Sequence, residues 1–416
     1  MLPLVGRTDE MRAVAAAWRS LRSEPTRCRI VVVTGGIGVG KSRLAAEAVT
    51  ALAPPPGSVL TGQARAHRPA PYDLTASALS GRAAGELGIS DDALAWLTQR
   101  AEPATRRFAP EALLRTAVDA IRALHRTGPG VLVVEDLHDL DPASLEVVGE
   151  LATAPDLPVL LLVTARTSRG LAGRVLARLC GTDRTTRLHL APLTVQQVAA
   201  ALPDPAGADL AATVWRRTSG NPFWLTELVA AADLTGPPGD QLMALAADRV
   251  PAGLVRLAQA AALLGEPVEP ATLARFVPAH DAPAAADTAV DRLVESGVLR
   301  SDADGGLRFG QPILAECLAA AALPSLRSAV AAARAAAAGS DPDDDAARRW
   351  ASLTARERDV VRLLADGMTN RQLARALDIS VRTATVHVSN VLRKTGAVSR
   401  TEVALFALRH GVLDAT

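Results

Sequence analysis

The stretch Ile30–Ala45, IVVVTGGIGVGKSRLA, constrains this chain more than any other. A β-branched run leads into Gly35-x-x-x-x-Gly40-Lys41-Ser42, and a helix-forming segment follows. Glycines let the backbone turn tightly enough for successive N–H groups to converge on one anion. A helix starting directly afterwards adds its own free amides and the positive end of its dipole. A lysine here reaches the outer phosphates as a point charge, and the next hydroxyl suits a magnesium ion. A plain glycine turn is the competing reading, and the strand before and helix after disfavour it. The pattern predicts a parallel α/β sheet with a nucleotide at the strand-to-helix turn.

The neighbouring segments agree. Ile30–Thr34, Val131–Val134 and Val159–Thr164 are short apolar runs bounded by turn or polar residues, as buried parallel strands are. Helical stretches such as Pro110–Leu124 lie between them, giving a doubly wound pattern. Two acids, Glu135 and Asp136, close the Val131 run, where carboxylates can hold a metal or polarise water. They are the candidate catalytic residues if the chain hydrolyses its nucleotide, with Ser42 and Glu135 as the candidate Mg²⁺ ligands. The third run ends in VTAR, which places Thr164 and Arg166 near the γ-phosphate if the sheet is wound in the usual way. Residues 190–235 read as helices. From about Asp248 to Ala320 the segment is helical, with Val298–Leu299 and Leu307–Phe309 flanking an Asp/Gly turn, as in a winged helix. An Ala-rich helix and an acidic, proline-containing linker follow.

Charge is uneven. The chain of 416 residues has a net charge of +1, but residues 351–416 hold ten Arg/Lys against six Asp/Glu, leaving the remainder faintly acidic. A basic end suggests nucleic acid there. Cys28, Cys180 and Cys317 are scattered and odd in number, which argues against a disulfide framework or zinc site and for a reducing compartment. The N-terminus does not read as a signal peptide, and no apolar run approaches the roughly 20 residues of a membrane span. The expected location is the cytoplasm. Lysine occurs only at Lys41 and Lys394, against abundant Arg and Ala, so each lysine is expected to do something arginine cannot.

The last sixty residues read as four short helices. Thr354-x-x-Glu357, Thr369-x-x-Gln372 and Ser399-x-x-Glu402 are capping boxes, and Ser380 is a further N-cap. Gly367 and Gly396 fall where helices end. In the third helix, Val381–Thr395, the residues Val381, Ala384, Val388, Val391 and Leu392 form an apolar stripe. Arg382, Thr385, Ser389 and Arg393 form the opposite one, polar, basic and narrow enough for a major groove. A solvated surface helix is the bland alternative, and the short turn ALDIS before the helix argues against it. The fourth helix, Thr401–His410, carries Val403, Ala404, Ala407 and Leu408.

Two resemblances follow from these motifs. LVGRTDE, the phosphate loop, VEDLHDLDPASL, LLLVTAR and RTSGNPFWLTEL stand in the order seen in the AAA-like signal-transducing NTPases of the STAND class. Residues 352–411 strongly resemble the DNA-binding domain of LuxR-type regulators, through residues such as Thr354, Glu357, Gly367, Asn370, Ser380, Thr383, His387, Lys394 and Arg400. The whole resembles a shortened large ATP-binding LuxR-family regulator without the helical-repeat sensor. The first resemblance implies ATP and Mg²⁺ held by Arg7, Gly35, Gly36, Gly38, Gly40, Lys41, Ser42, Arg43 and Arg166, with Pro222 of Gly220-Asn221-Pro222 on the adenine. Two departures, Glu135 where the family has Asp and Gln311 where it often has His, imply slow hydrolysis at most, so the chain is not primarily an enzyme. The second resemblance implies Thr385, Val386 and Ser389 on base edges. Arg371, Arg382, His387, Arg393 and Lys394 lie near phosphates, with Thr369, Asn370 and Asn390 beside them. The last helix would form a homodimer contact.

The expected fold is multidomain. An α/β P-loop NTPase core (1–188) precedes a helical subdomain (189–245) and a winged-helix-like domain (246–325). An Ala-rich helix and acidic linker (326–350) then lead to an all-α LuxR-type helix-turn-helix (351–416). The expected function is an ATP-binding bacterial transcriptional regulator on double-stranded promoter DNA, with the nucleotide as a conformational switch. RNA polymerase is a further candidate partner. A constitutive regulator with a relic P-loop, or an NTPase whose main activity is hydrolysis, are the alternatives. The Ala/Arg bias is associated with an actinobacterial source.

Overall fold

A computed structural model describes residues 2–65, 70–100, 108–166, 170–203, 207–232, 234–277, 283–338, 353–395 and 403. The chain forms two compact units, Met1–Ala322 and Leu323–Thr416.

The first unit is built on a parallel sheet of β1 (Arg29–Gly35), β2 (Val59–Gly62), β3 (Gly130–Val134), β4 (Val159–Ala165) and β5 (Thr185–Leu190), in the order β2-β3-β4-β1-β5. Helices α1 (Thr8–Ser23) and α2 (Lys41–Thr50) precede β2. Between β2 and β3 come α3 (Asp73–Ala78), α4 (Ala84–Leu87), α5 (Asp91–Leu97) and α6 (Pro110–Leu124). Helix α7 (Pro142–Thr153) joins β3 to β4, and α8 (Gly170–Cys180) joins β4 to β5. The central strands are covered on both faces, which is why they read as unbroken apolar runs. In β1, Ile30 and Val32 enter the core with α6 and α7, while Val31 and Val33 enter the core with α1 and α2. Period-two alternation thus feeds two cores from one strand.

The three expected strands and the helix Pro110–Leu124 are present, each strand extended by a residue or two. Strands β2 and β5 were not expected. Both lie at sheet edges, β2 has only four residues, and TTRLHL alternates polar and apolar. A half-exposed edge strand carries no continuous apolar run.

Four helices follow β5: α9 (Val195–Ala201), α10 (Ala208–Thr218), α11 (Pro222–Ala230) and α12 (Asp240–Asp248). Thr194 and Gln197 close a reciprocal capping box at α9, and Val198, Ala211, Val214 and Leu225 share a small core. Then come α13 (Val255–Leu264), α14 (Pro270–Ala274), α15 (Pro283–Glu295), the hairpin β6 (Leu299–Ser301) and β7 (Leu307–Phe309), and α16 (Pro312–Ala320). The hairpin pairs Leu299 with Phe309, and its turn is tied by Asp302, which accepts from the amides of Asp304 and Gly306. Helices around a small hairpin match the expected winged helix. Arg217 of α10 donates to Glu316 of α16 at 2.6 Å and to the carbonyls of Leu234 and Gly236, binding the helical and winged segments together.

The second unit holds α17 (Pro324–Ala338), α18 (Ala355–Ala365), α19 (Asn370–Ala376) and α20 (Val381–Thr395). Its core gathers Leu353, Val360, Val361, Leu364, Leu373, Ala384, Val388, Val391 and Val403. Val381, expected on the apolar stripe, is 47% exposed. It is the first residue of α20, and burial on this stripe begins one turn later, at Ala384. The buried run on α20 is Ala384, Val388, Val391 and Thr395. Val403 is buried, consistent with core packing, while the rest of Thr401–His410, the Ser399–Glu402 cap and Gly396 lie outside the described residues. Among the described residues no single helix is long and apolar enough to cross a membrane.

Candidate functional site

The sheet order places β4 between the glycine-loop strand and the strand that ends in acids. The ends of β1, β4 and β3 therefore stand side by side at one edge of the sheet. Around them lies a cleft of about 570 Å³ whose wall includes Gly40, Lys41, Ser42, Asp136, Arg166 and Pro222. A cavity of this size and polarity suits a small ligand.

The loop is shaped by its glycines. Gly40 has φ 93°, and a side chain there would point into open space. Gly38 has φ 74°, and an added Cβ would come within 2.7 Å of the Asn221 amide oxygen. Both conformations belong to glycine. Asn221 fixes the loop from the other side. Its Nδ2 donates to the Ile37 carbonyl at 2.9 Å, its Oδ1 caps α11 by accepting from the Phe223 amide at 3.0 Å, and the Phe223 amide also reaches the Gly38 carbonyl at 3.2 Å. The Gly220-Asn221-Pro222 element thus clasps the phosphate loop and puts Pro222 in the cleft wall.

Lys41 is 7% exposed, and its Nζ donates to the carbonyls of Gly35 at 3.2 Å and Gly36 at 3.0 Å. Burial pushes its ammonium below the ordinary lysine range, while Asp136 pulls it back up. Arg43 lines the cleft and donates to the Leu2 carbonyl. Arg7 is buried and holds the backbone, donating to Ala191 at 2.7 Å and Val39 at 3.3 Å. It is not in the cleft wall, and neither are Gly35 and Gly36.

The acids are arranged differently from the sequence expectation. Glu135 closes β3 with its amide on the Gly62 carbonyl, and it does not line the cleft. Asp136 does, in the left-handed region at φ 45°, with its amide donating to the buried Thr164 hydroxyl at 2.9 Å. Such a conformation costs about 1–3 kcal/mol and persists where surrounding contacts over-determine it. Asp139 joins Asp136 in the wall. His138, whose side chain is 6% exposed, accepts the Arg166 amide at its Nδ1 at 3.2 Å, and the Arg166 Nε meets its Nε2. Burial first, and then the Arg166 guanidinium, lower the His138 pKa, while Asp139 and Asp136 pull it back up. Arg166 reaches Asp139 at 3.6 Å. The result is an Arg166–His138–Asp139 cluster at the mouth of the loop.

The opposite wall adds Arg249, which no motif announced, to Phe223 and Thr226 of the RTSGNPFWLTEL segment. Arg249 stacks over the Phe223 ring at 3.7 Å, and both line the cleft with Thr226. Beside them the winged segment closes on the loop. Ile37, Gly38, Gly297 and Gln311 surround one narrow void, so Gln311 stands next to the glycine loop as the motif order implied. His138 and Asp139 lie in the quoted segment after the acids, and three-residue spacing from Asp136 could have flagged Asp139. Arg249 follows Pro222 by two helices, α11 and α12, and has no such signal.

A nucleoside triphosphate fits this donor set: free amides at the start of α2, a lysine resting on loop carbonyls, and an arginine on the sheet edge. For a magnesium ion, Ser42 and Asp136 are the available protein groups, in place of the expected Glu135. Among the described residues no three or more His, Cys, Asp or Glu side chains could hold a metal by themselves, so phosphate oxygens would complete its shell.

In the second unit, the turn between α19 and α20 is made by Asp378 at φ 49° and by Ile379, whose amide donates to the Ala374 carbonyl at 2.9 Å. Thr354 and Glu357 cap α18 and Thr369 and Gln372 cap α19, each as a reciprocal box. The Ser380 hydroxyl accepts the Thr383 amide at the start of α20. Thr369, Arg371 and Thr385 are exposed, and His387 and Asn390 are half-buried. Asn370 donates to the Thr385 hydroxyl at 3.2 Å, joining the two helices that would meet DNA. The side chains of Arg382, Val386, Ser389 and Arg393 lie outside the described residues. Lys394 has a structural partner. Its Nζ donates to Glu357 at 2.7 Å, and Glu357 is only 4% exposed.

The fold and cleft define a P-loop nucleotide-binding core followed by a helix-turn-helix unit. Residues 3–163 match the AAA ATPase domain family, and residues 351–407 match the bacterial regulatory proteins of the luxR family. The chain therefore joins an AAA ATPase domain to a LuxR-family helix-turn-helix domain. It is 45% identical over 65 residues to the HTH-type transcriptional regulator Mb0914c of Mycobacterium bovis, covering 16% of this chain and 7% of that one. It is 44% identical over 70 residues to the transcriptional regulatory protein FixJ of Bradyrhizobium diazoefficiens, covering 17% of this chain and 34% of that one. The chain thus spans well under half the length of these relatives. Among solved structures, the Walker-type ATPase PABY2304 of Pyrococcus abyssi aligns with TM-score 0.47 at 15% identity, over 76% of this chain and 96% of that one.

Proposed function

We propose that this chain is a bacterial transcription regulator that binds promoter DNA through α19 and α20, and that ATP bound at the glycine loop sets its affinity for that DNA. The observation that carries the reading is the clasp on the loop. Asn221 and Phe223 bond to Ile37 and Gly38, and Gly297 and Gln311 of the winged segment share one narrow void with them, so a ligand that reorders this loop changes the surfaces around it.

Bound ATP with Mg²⁺ would supply the negative charge and the γ-phosphate contacts that distinguish one arrangement of the core from another. The protein's part is positional. Lys41 leaves the Gly35 and Gly36 carbonyls for phosphate oxygens, Arg166 offers its guanidinium from the sheet edge, and Pro222, Phe223 and Arg249 flank the base. Asp136 and Asp139 are the acids that would orient water, and the Asp139 carboxylate is already paired with His138 at 3.4 Å and Arg166 at 3.6 Å, which favours holding over rapid turnover. A ligand shifts a population only by its differential affinity for the two states, and a tenfold ratio corresponds to about 1.4 kcal/mol. On the DNA side, Thr385, Val386 and Ser389 are the base readers, and Arg371, Arg382, His387 and Arg393 the phosphate contacts. The homodimer contact through the last helix, and any contact with RNA polymerase, belong to the same proposal. So do the domain boundaries and the cytoplasmic location.

Footprinting on the promoters beside its own gene, with and without ATP, tests this. Protection that depends on ATP supports the switch. Equal protection in both supports a constitutive regulator, and multiple ATP turnovers per minute with no footprint support an enzyme.

A further inference from the structure

Two side chains of the second unit meet in a way that decides which base one of them can read. Thr385 is exposed on the second turn of α20, and Asn370 is the half-buried first residue of α19. Asn370 Nδ2 donates to the Thr385 hydroxyl at 3.2 Å, and that hydroxyl donates to the Val381 carbonyl at 3.0 Å.

The two bonds fix the direction of every proton in the pair. A hydroxyl has one proton and two acceptor lone pairs, and a backbone carbonyl can only accept. The Thr385 proton is therefore committed to Val381, and Asn370 must turn its N–H side to the hydroxyl. One lone pair takes the Asn370 hydrogen. What is left for a partner outside the protein is the second lone pair and the γ-methyl. A threonine on a helix ordinarily divides between two χ1 rotamers. Here the bond from a second helix favours one of them. Turning the proton outward would break the Val381 bond, and rotating the side chain would break both.

An acceptor beside a methyl matches one base pair better than the other. In the major groove guanine shows two acceptors, N7 and O6, and cytosine a donor with no methyl. Adenine shows the N6 amino group, a donor, and its thymine partner shows the C5 methyl. Guanine acceptors find no proton on this side chain. We infer that Asn370 fixes Thr385 as an acceptor that reads an A·T pair, its Oγ1 taking an adenine N6 hydrogen and its γ-methyl lying against the thymine methyl. Asn370 is a positioning residue that acts through Thr385. The inference rests on the reading of α20 as the element that enters the groove.

Selected-site binding on the full chain, followed by competition between modified operators, tests this. One enriched position should be A·T and should respond to Thr385→Val, which keeps the shape and the methyl but removes the hydroxyl. Purine deoxyriboside in place of that adenine lacks the amino group. It should weaken wild type about fivefold, the low end of the cost of one mismatched pair, and Thr385→Val by less than about twofold. Deoxyuridine in place of the thymine lacks the methyl and should weaken both proteins alike. Asn370→Ala, which lets the hydroxyl turn, should narrow the preference for A·T over G·C at that position several-fold. A ratio between two sequences is not moved by a general loss of stability or affinity. If G·C is enriched at the responding position, if no position responds, if wild type ignores the missing amino group, or if the ratio is unchanged in Asn370→Ala, the inference is overturned while DNA binding by this unit stands. If no sequence is enriched at all, the reading of α20 falls, and the inference with it.

Discussion

Lys394 is the residue on which the structure and the resemblance part most clearly, and its removal separates them. As a phosphate contact, its loss would leave the fold intact and weaken all DNA alike. In the structure it is an internal partner. The Glu357 carboxylate is 4% exposed and its Oε2 accepts three donors: Lys394 Nζ at 2.7 Å, the Thr354 amide at 2.8 Å and the Thr354 hydroxyl at 2.9 Å. Removing one partner of a buried ion pair costs about 3–5 kcal/mol. Here the lysine side chain is 24% exposed and two hydrogen bonds to the carboxylate survive, so about 2 kcal/mol is the reasoned cost for Lys394→Met. Hydrogen exchange on the full chain reads this directly. Amides of α18 and α20 should exchange about 30-fold faster in Lys394→Met, the equivalent of that energy. The double variant Glu357→Gln/Lys394→Met should regain most of the protection, because no uncompensated charge remains. Unchanged exchange in the single variant, with a salt slope of DNA binding shallower by about 0.9, would refute the argument and restore the phosphate role.

Four further outcomes are expected. Acidification should weaken the second unit through Glu357. Burial works against its ionisation, but the Lys394 and Thr354 hydrogen bonds outweigh it and hold the folded pKa below 4.5, so the contribution is full above that pH and lost as pH falls through the folded value; exchange across a pH series reads this, and Lys394→Met should flatten it. Lys41→Ala should weaken ATP binding at least 100-fold by calorimetry, and a change under threefold would exclude the loop as the site. Asn221→Ala removes a helix cap and the Ile37 bond together, about 2 kcal/mol, visible as a lower melting temperature and weaker ATP binding; an unchanged melting temperature would contradict the clasp. Thr385→Ala should alter base preference in a selected-site experiment, and a uniform loss across sequences would show that α20 presents another face.

What the sequence revealed depended on how local the determinants were. The glycine loop is legible because strand, turn and helix start are contiguous, and each glycine answers a backbone need. The capping boxes at Thr354 and Thr369 are legible because side chain and amide are three residues apart. The central strands carry unbroken apolar runs because both their faces are covered, whereas edge strands β2 and β5 are half-exposed and lost that signal. The cleft was legible at its glycine loop and, across from it, at Pro222. Arg249 reaches Phe223 through tertiary packing, and Asp136 rather than Glu135 lines the cleft, with a left-handed residue turning the chain at the end of β3. Lys394 shows the same limit. Its rarity marked it as having a task, but the partner, Glu357, lies 37 residues earlier and only the folded core joins them.

A nucleotide switch couples ATP to DNA, and coupling is reciprocal. The ATP dissociation constant of the full chain should therefore be measured with and without a saturating operator fragment, alongside the operator affinity with and without ATP. The same factor is expected in both directions, about tenfold, and none in Lys41→Ala. Identical ATP affinity with and without operator would rule out the switch.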